Sequence, residues 1–331
     1  MVSVVMATYN GENYIYEQMR SIYEQTRQAD EVLICDDCSK DRTTAIIDNF
    51  IKTHGLDNWK LIINDENKGW QRNFVEALGQ VSGSYIFFSD QDDIWFKDKI
   101  EIMMNFMEKN PEIHCLSGKM TTIDGNGTEF QGRNIFSAGN GSGNLIKQNF
   151  STNFNTIILQ GCTMCITRTL ANLVIRMNIK NYAHDAQCCK LGILLDGVYI
   201  LDRPIIHYRL HDHNTSGVVS DINYGSSNLQ KRIKDIKRNI IWLERLLKIY
   251  DSEEVLEKKK KRMVEETIEF QKERFRFLSD RKLIHFLKLL KYRKYYSGFS
   301  MYIGDFTYAF HINKIAGKIL WHIRNVKKLK G

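Results

Sequence analysis

The sequence predicts an α/β fold with a mainly parallel central sheet and a C-terminal helical extension. Three observations carry that expectation. Short apolar runs of strand length recur through the first ninety or so residues. Segments with apolar residues at three- and four-residue steps separate them, as helices require. The C-terminal third loses the short runs and keeps only the helical spacing. Strands alternating with helices imply right-handed βαβ units, hence parallel neighbours.

In order, Val2–Ala7 reads as a central strand, and Thr8-Tyr9-Asn10-Gly11 as a turn. Residues 12–25 carry Tyr14, Ile15, Met19, Ile22 and Tyr23 at helical spacing. Glu31–Cys35 is a second strand, ending in Asp36-Asp37-Cys38-Ser39, and Ser39–Thr43 opens a second helix. Lys60–Ile63 is a third strand. The turn 64–69 then leads into a helix through Trp70, Phe74 and Leu78. Tyr85–Phe88 is a fourth strand. Polar clusters at 8–10, 36–39, 64–69 and 89–93 all fall at strand carboxyl ends, where open α/β sheets collect ligands. Further on, Ile100–Met107 is helical, and His114–Thr122 and Ile157–Thr167 are strands, separated by a Gly-, Asn- and Ser-rich loop at 124–144. Thr169–Met177 and Ala186–Leu195 are helices. Val198–Leu201 and Ile205–Arg209 are short strands, and Leu210–Gly217 is a polar loop. From Leu229 the chain is helical, with one segment at Leu283–Tyr296. The domains expected are 1–227 and 228–331.

The chain has 331 residues, 43% hydrophobic and 26% charged, the profile of an ordinary globular protein. No apolar run approaches the roughly 18 residues of a membrane span. The N-terminus lacks a basic segment and a cleavage site, so no signal peptide is expected. Seven scattered cysteines argue against a disulfide framework and suit a reducing compartment. Cys35/Cys38 and Cys162/Cys165 have ligand-like spacing for a four-thiolate zinc site, but small buried thiols are the simpler reading. The net charge of +8 is uneven. Residues 1–227 carry 20 basic and 27 acidic side chains, and residues 228–331 carry 27 and 12. The basic tail points to an anionic surface, lipid or nucleic acid. The acidic body speaks against nucleic acid, whose phosphates it would repel.

The chemistry concentrates in Ser89-Asp90-Gln91-Asp92-Asp93-Ile94-Trp95, directly after the fourth strand. Carboxylates this close repel one another unless a cation answers them. A hard divalent ion, Mg²⁺ or Mn²⁺, takes oxygen ligands and bridges to phosphates. A polar turn before a helix N-terminus would also favour Asp. Neither a Rossmann glycine fingerprint nor a Walker loop is present, which argues against dehydrogenases and ATPases. A nucleotidyltransferase is the competing enzyme class, but residues 2–12 lack the glycine-rich basic phosphate loop it would carry.

Four segments in order, Val4–Asn10, Asp36–Thr43, Asn67-Lys68-Gly69 and Asp90–Asp93, resemble family 2 glycosyltransferases, inverting enzymes of the GT-A fold. The Ser-Asp-Gln-Asp-Asp-Ile-Trp form is similar to members that build bacterial surface polysaccharides, including rhamnosyltransferase-like ones. The resemblance covers residues 1–217. It departs at Cys38, where the family usually has glycine. It implies a UDP- or dTDP-sugar donor and a lipid-linked or polysaccharide acceptor, with the enzyme cytoplasmic and peripheral at the inner face of the plasma membrane. The basic C-terminal region, with apolar and basic residues interleaved at Leu283–Tyr296, would either meet anionic lipid there or only pack on the body with a solvated basic face, with no nucleic-acid partner. The oligomeric state is left open. Carried over, Thr8, Tyr9 and Asn10 line the nucleoside pocket. Asp36 accepts from the pyrimidine N–H, and Gln91 and Arg72 serve the donor site. Asp92 ligates the metal, Asp90 reaches ribose, metal or its water, and His211 supplies another ligand. For His211 the alternative is a surface histidine near His207 and His213, and for Arg72 a solvated helix residue. Asp185 is the general base, although Asp at a helix start also caps well. Asp93, Trp95 and His184 shape the sugar pocket, with Trp95 offering a flat face.

Overall fold

The computed structural model describes residues 1–130, 141–157, 159–212, 214, 229–253 and 257–312. Nine strands and ten α-helices occur among them, in the order β1 Val2–Thr8, α1 Ile15–Tyr23, β2 Glu31–Asp36, α2 Thr43–His54, β3 Trp59–Ile63, α3 Trp70–Leu78, β4 Tyr85–Ser89 and β5 Ile94–Trp95. Then come α4 Lys99–Lys109, β6 Cys115–Ile123, β7 Leu145–Gln148, β8 Met164–Thr167, α5 Arg168–Met177, α6 His184–Leu194 and β9 Val198–Arg209. The last helices are α7 Leu229–Glu253, α8 Lys258–Asp280, α9 Leu283–Lys288 and α10 Phe299–Ala309. Two compact units result: residues 1–150 with 157–213, and residues 151–156 with 214–331. The boundary expected after residue 227 falls on residues outside those described.

In the first unit one sheet runs β3-β2-β1-β4-β8-β6-β9-β5, with β7 paired to β9. β1 is the centre of its parallel half, and Val2, Val4, Val5 and Met6 are all buried. Strands that are covered on both faces read as unbroken apolar runs. The chain steps outward from β1 to β2 to β3, then returns to place β4 on the other side of β1. This reversal makes a switch point between the carboxyl ends of β1 and β4, at Thr8 and Ser89. Ligand crevices open at such points.

The other half of the sheet is mixed. β8 runs antiparallel to β4 and β6, β9 runs parallel to β6, and β5 and β7 pair antiparallel with β9. The mainly parallel expectation therefore describes β1–β4 and the β6–β9 pair. The two short strands expected at 198–209 are one strand. Pro204 sits opposite Lys119, where the register with β6 shifts. A bulge tolerates the missing N–H of proline, so the strand continues. The strand expected from Ile157 is confined to Met164–Thr167, after a 3-10 turn at Gly161–Thr163. The loop expected at 124–144 lies partly outside the described residues, and β7 follows it.

In the second unit α7 packs on α8, and α8 packs on α9 and α10. Asp305 of α10 is buried and takes Arg274 Nε at 2.7 Å, Arg232 Nε at 2.8 Å and the Tyr296 hydroxyl at 2.8 Å. Two guanidinium groups hold its carboxyl below the usual range despite burial. The helix expected at 283–296 is α9 followed by a 3-10 stretch, Leu289–Tyr295. Among the described residues no helix is long and apolar enough to cross a membrane.

Candidate active site

The loops after β1 and β2 are laced together. Asp36 is fully buried, and its carboxylate accepts from Thr8 Oγ1 at 2.8 Å, Ser39 N at 2.8 Å and Ser39 Oγ at 2.6 Å. Asn10 N donates to Ser39 Oγ at 2.9 Å, and Asn10 Oδ1 accepts from Lys40 N at 2.8 Å. Asp37 accepts from Lys68 N, Gly69 N and Asn64 Nδ2, which fixes the loop after β3. Asp36 was expected to meet a pyrimidine directly. Its carboxylate is enclosed and committed to the loop, while Tyr9 and Asn10 form the exposed rim. Gly69 has φ +83°, which explains the glycine of Asn67-Lys68-Gly69. Cys38 sits at φ +66°, a left-handed conformation that favours the glycine the family carries there.

Gln91 is also a strut. Its Oε1 accepts from Tyr9 N at 2.8 Å and its Nε2 donates to Tyr9 O at 3.0 Å, joining the turn after β4 to the loop after β1. Arg72 lies exposed on α3 and pairs with Glu76 at 2.5 Å.

The acidic turn divides into an inner and an outer part. Asp93 is completely buried. Its Oδ1 accepts from Arg209 N at 3.1 Å, and the Cys162 thiol lies against its carboxyl. Burial, with Asp92 and Asp90 alongside, pushes its carboxyl well up and favours the neutral acid. Trp95 is buried too. Lys99 Nζ lies 3.6 Å from its ring centroid, and Phe87 packs at 5.9 Å. His184 is wedged between Phe74 and Phe88 at 4.1 and 4.7 Å, and burial lowers its pKa to about 3. Asp93, Trp95 and His184 were expected to shape the sugar pocket. Their faces are covered by protein, and they form the wall behind the site.

The outer part faces partial solvent. Asp92 Oδ2 lies 2.8 Å from His211 Nε2, although 119 positions separate them. Asp90 is half-buried, and its carboxyl is pushed up to about 7 by burial, then by Asp92 and Asp185. Asp185 stands in the first turn of α6. Burial raises it to about 6, against the pull of Ala186 N, which donates to Oδ1 at 2.6 Å. Asp90, Asp92, Asp185 and His211, drawn from three separate stretches of chain, thus share one electrostatic neighbourhood.

Of these groups, Asp92 and His211 form one close pair of ligand-type side chains. Two ligands at right angles on Mg²⁺ sit roughly 3 Å apart, given metal–oxygen distances near 2.1 Å. The 2.8 Å between Asp92 and His211 matches that spacing. Asp90, Asp93 and Cys162 also bring ligand-type atoms within 4.8 Å of one another. That inner trio suits a hard ion less, because burial pushes the Cys162 thiol well up and keeps it protonated. It is the sole metal-type cluster among the described residues, so the four-cysteine zinc arrangement is absent among them.

Two residues escaped the sequence reading. Arg209, at the end of β9, donates Nε to Asp92 O at 2.8 Å and NH1 to Gly125 O at 3.1 Å. It also pairs with Glu17 and lies 4.8 Å from the Tyr14 ring. It ties the acidic turn to the strand that presents His211. An arginine two positions before a ligand-type histidine, closing an apolar strand, was the available signal, since period two puts both on one face. Lys99 is the second. Its Nζ is buried, donates to Cys162 O at 2.7 Å and is lowered to about 7 by burial.

The parallel strands, the switch point between β1 and β4 and the acidic corner define a GT-A-type nucleotide-sugar fold. Solved structures agree on the fold. *Staphylococcus aureus* TarS 1-349 in complex with UDP-GlcNAc superposes with TM-score 0.59 at 19% identity, covering 93% of this chain and 81% of that one. The profile of glycosyl transferase family 2 matches residues 3–173, and the chain belongs to that family. The *Escherichia coli* UDP-Glc:alpha-D-GlcNAc-diphosphoundecaprenol beta-1,3-glucosyltransferase WfgD is 35% identical over 126 residues, 38% of this chain and 48% of WfgD. The *Shigella flexneri* dTDP-rhamnosyl transferase RfbG is 31% identical over 234 residues, 64% of this chain and 73% of RfbG. The chain spans under half the length of WfgD and of *Bacillus subtilis* TuaG, a putative teichuronic acid biosynthesis glycosyltransferase.

Proposed function

We propose that this chain is an inverting glycosyltransferase of bacterial cell-surface polysaccharide synthesis. It moves a sugar from a UDP- or dTDP-sugar to a hydroxyl of a lipid-linked or polysaccharide acceptor. The observation that carries the reading is the meeting of Asp92 with His211, beside an Asp90 whose carboxyl feels Asp185. The names of WfgD and RfbG supply the two donor nucleotides, and TarS has been solved with UDP-GlcNAc.

Asp92 and His211 would hold Mn²⁺ or Mg²⁺, with Asp90 completing the acidic side. When bound, such an ion neutralises the charge that grows on the departing nucleoside diphosphate. Tyr9 and Asn10 present the nucleoside rim, and the Thr8–Asp36–Ser39 bonds keep that rim in place. Asp185 takes the proton from the acceptor hydroxyl as its oxygen attacks the anomeric carbon. A carboxyl near 6 is largely ionised at neutral pH yet more basic than an ordinary aspartate. The basic residues of 228–331 would hold the enzyme at an anionic membrane surface, on the cytoplasmic face where nucleotide sugars are available.

Thermal-shift titration with Mn²⁺ plus UDP or dTDP, joined to a donor-turnover assay, tests the reading. The wild-type protein should be stabilised only by ion and nucleotide together, and Asp92→Ala should lose both stabilisation and turnover. Undiminished turnover in Asp92→Ala or Asp185→Ala would refute the assignment.

A further inference from the structure

The second unit carries an apolar surface that its own core does not use. The inner side of α9 is ordinary: Phe286 meets Phe277, Tyr302 and Phe306 at centroid distances of 5.1, 4.4 and 4.9 Å. The outer side is not. Leu283, Ile284, Leu287 and Leu290 are 51–57% exposed. Their spacing puts them along one side of the helix and its 3-10 continuation. A helix on a protein surface ordinarily turns polar residues outward there. On α10, which packs against α9 through Phe286 and Tyr302, Phe299 is 76% exposed and Ile303 lies one turn further on.

Charge selects the occupant. Residues 281–304 contain six basic side chains, Arg281, Lys282, Lys288, Lys291, Arg293 and Lys294, and no acidic one. All six are exposed, and among the described residues Lys294 is the one of them within ion-pair distance of an acid, Glu266, at 2.8 Å. A second copy docked here through a two-fold axis would bring like charges face to face. An apolar stripe bracketed by cations instead matches anionic headgroups above hydrocarbon.

We propose that the outer stripe of α9 inserts into the interfacial layer of an anionic bilayer, while Arg281, Lys282, Lys288 and Lys291 engage lipid phosphates. This rests on the membrane contact proposed above and names the face that makes it.

Flotation of the full chain with vesicles of phosphatidylethanolamine and phosphatidylglycerol tests it. The double variant Leu283→Gln/Leu287→Gln should bind about tenfold more weakly, with circular dichroism and Tm unchanged because both side chains are exposed. Leu287→Trp should bind normally and be quenched by brominated acyl chains. If wild type and double variant bind equally, or Leu287→Trp stays unquenched, the face assignment falls and the charge-driven contact stands. If wild type does not float at all, both fall. Binding that appears only after removal of residues 313–331, or a dimer by light scattering that the double variant abolishes, would also overturn the proposal.

Discussion

The proton transfer proposed for Asp185 is measurable through the environment of its carboxyl. Burial raises its carboxyl to about 6, and only the ionised form can accept a proton. Turnover should therefore fall about tenfold per pH unit below that value and level off above it. Asp185→Asn should lower kcat by about 10²–10⁴-fold and abolish this limb, which a pH–rate profile reads directly. A different kind of residue effect is expected at Cys38. Its φ of +66° strains a residue with a Cβ, and its thiol contacts are weak, with Lys40 at 3.0 Å and Asp65 O at 3.6 Å. Cys38→Gly should stabilise the protein by about 0.5–1 kcal/mol in denaturant unfolding, the left-handed strain relieved outweighing glycine's extra chain entropy.

At the scale of elements, the end of β9 organises the site. Arg209 reaches the backbone of the acidic turn, the loop at Gly125 and Glu17 on α1. Arg209→Met would leave half-buried carbonyls unpaired and cost about 1.5–3 kcal/mol, the range for hydrogen bonds to charged groups. Most of that should come from the carbonyls, because Glu17 is exposed and its pair is screened. Mn²⁺ affinity should fall along with stability, since both Asp92 and the strand leading to His211 lose their brace. Arg209→Lys should restore little, because an ammonium lacks the planar fork. Isothermal titration with Mn²⁺ and chemical denaturation check the two effects separately. Most elements were legible from apolar periodicity, β1 to β4 above all, because strands buried on both faces leave continuous runs. β5, two residues long, and β7 left too little pattern to see. β9 was split at Pro204 because the bulge that accommodates proline depends on its partner strand.

At the scale of the molecule, charge asymmetry is the dominant sequence feature, −7 over residues 1–227 and +15 over 228–331. Screening sets how far such charge acts, with a Debye length of about 10 Å at 0.1 M salt. Binding to phosphatidylglycerol vesicles should therefore weaken steeply between about 0.05 and about 0.5 M NaCl. A residual part held by the α9 stripe should survive, since apolar transfer is not screened. Flotation across a salt series gives both components.

The sequence by itself determined the α/β class, the strand ends where ligands gather, the family and the acidic turn, because periodicity and short motifs are local properties of a chain. Tertiary structure alone decided which acidic and aromatic side chains stay at the surface. Asp36, Asp93, Trp95 and His184 look like ligand contacts along the chain, yet neighbours remote in sequence enclose them. Asp92 and His211 meet only because β9 runs beside β6 and ends at the turn after β4. Burial and long-range pairing depend on how distant segments pack, and no local pattern records that.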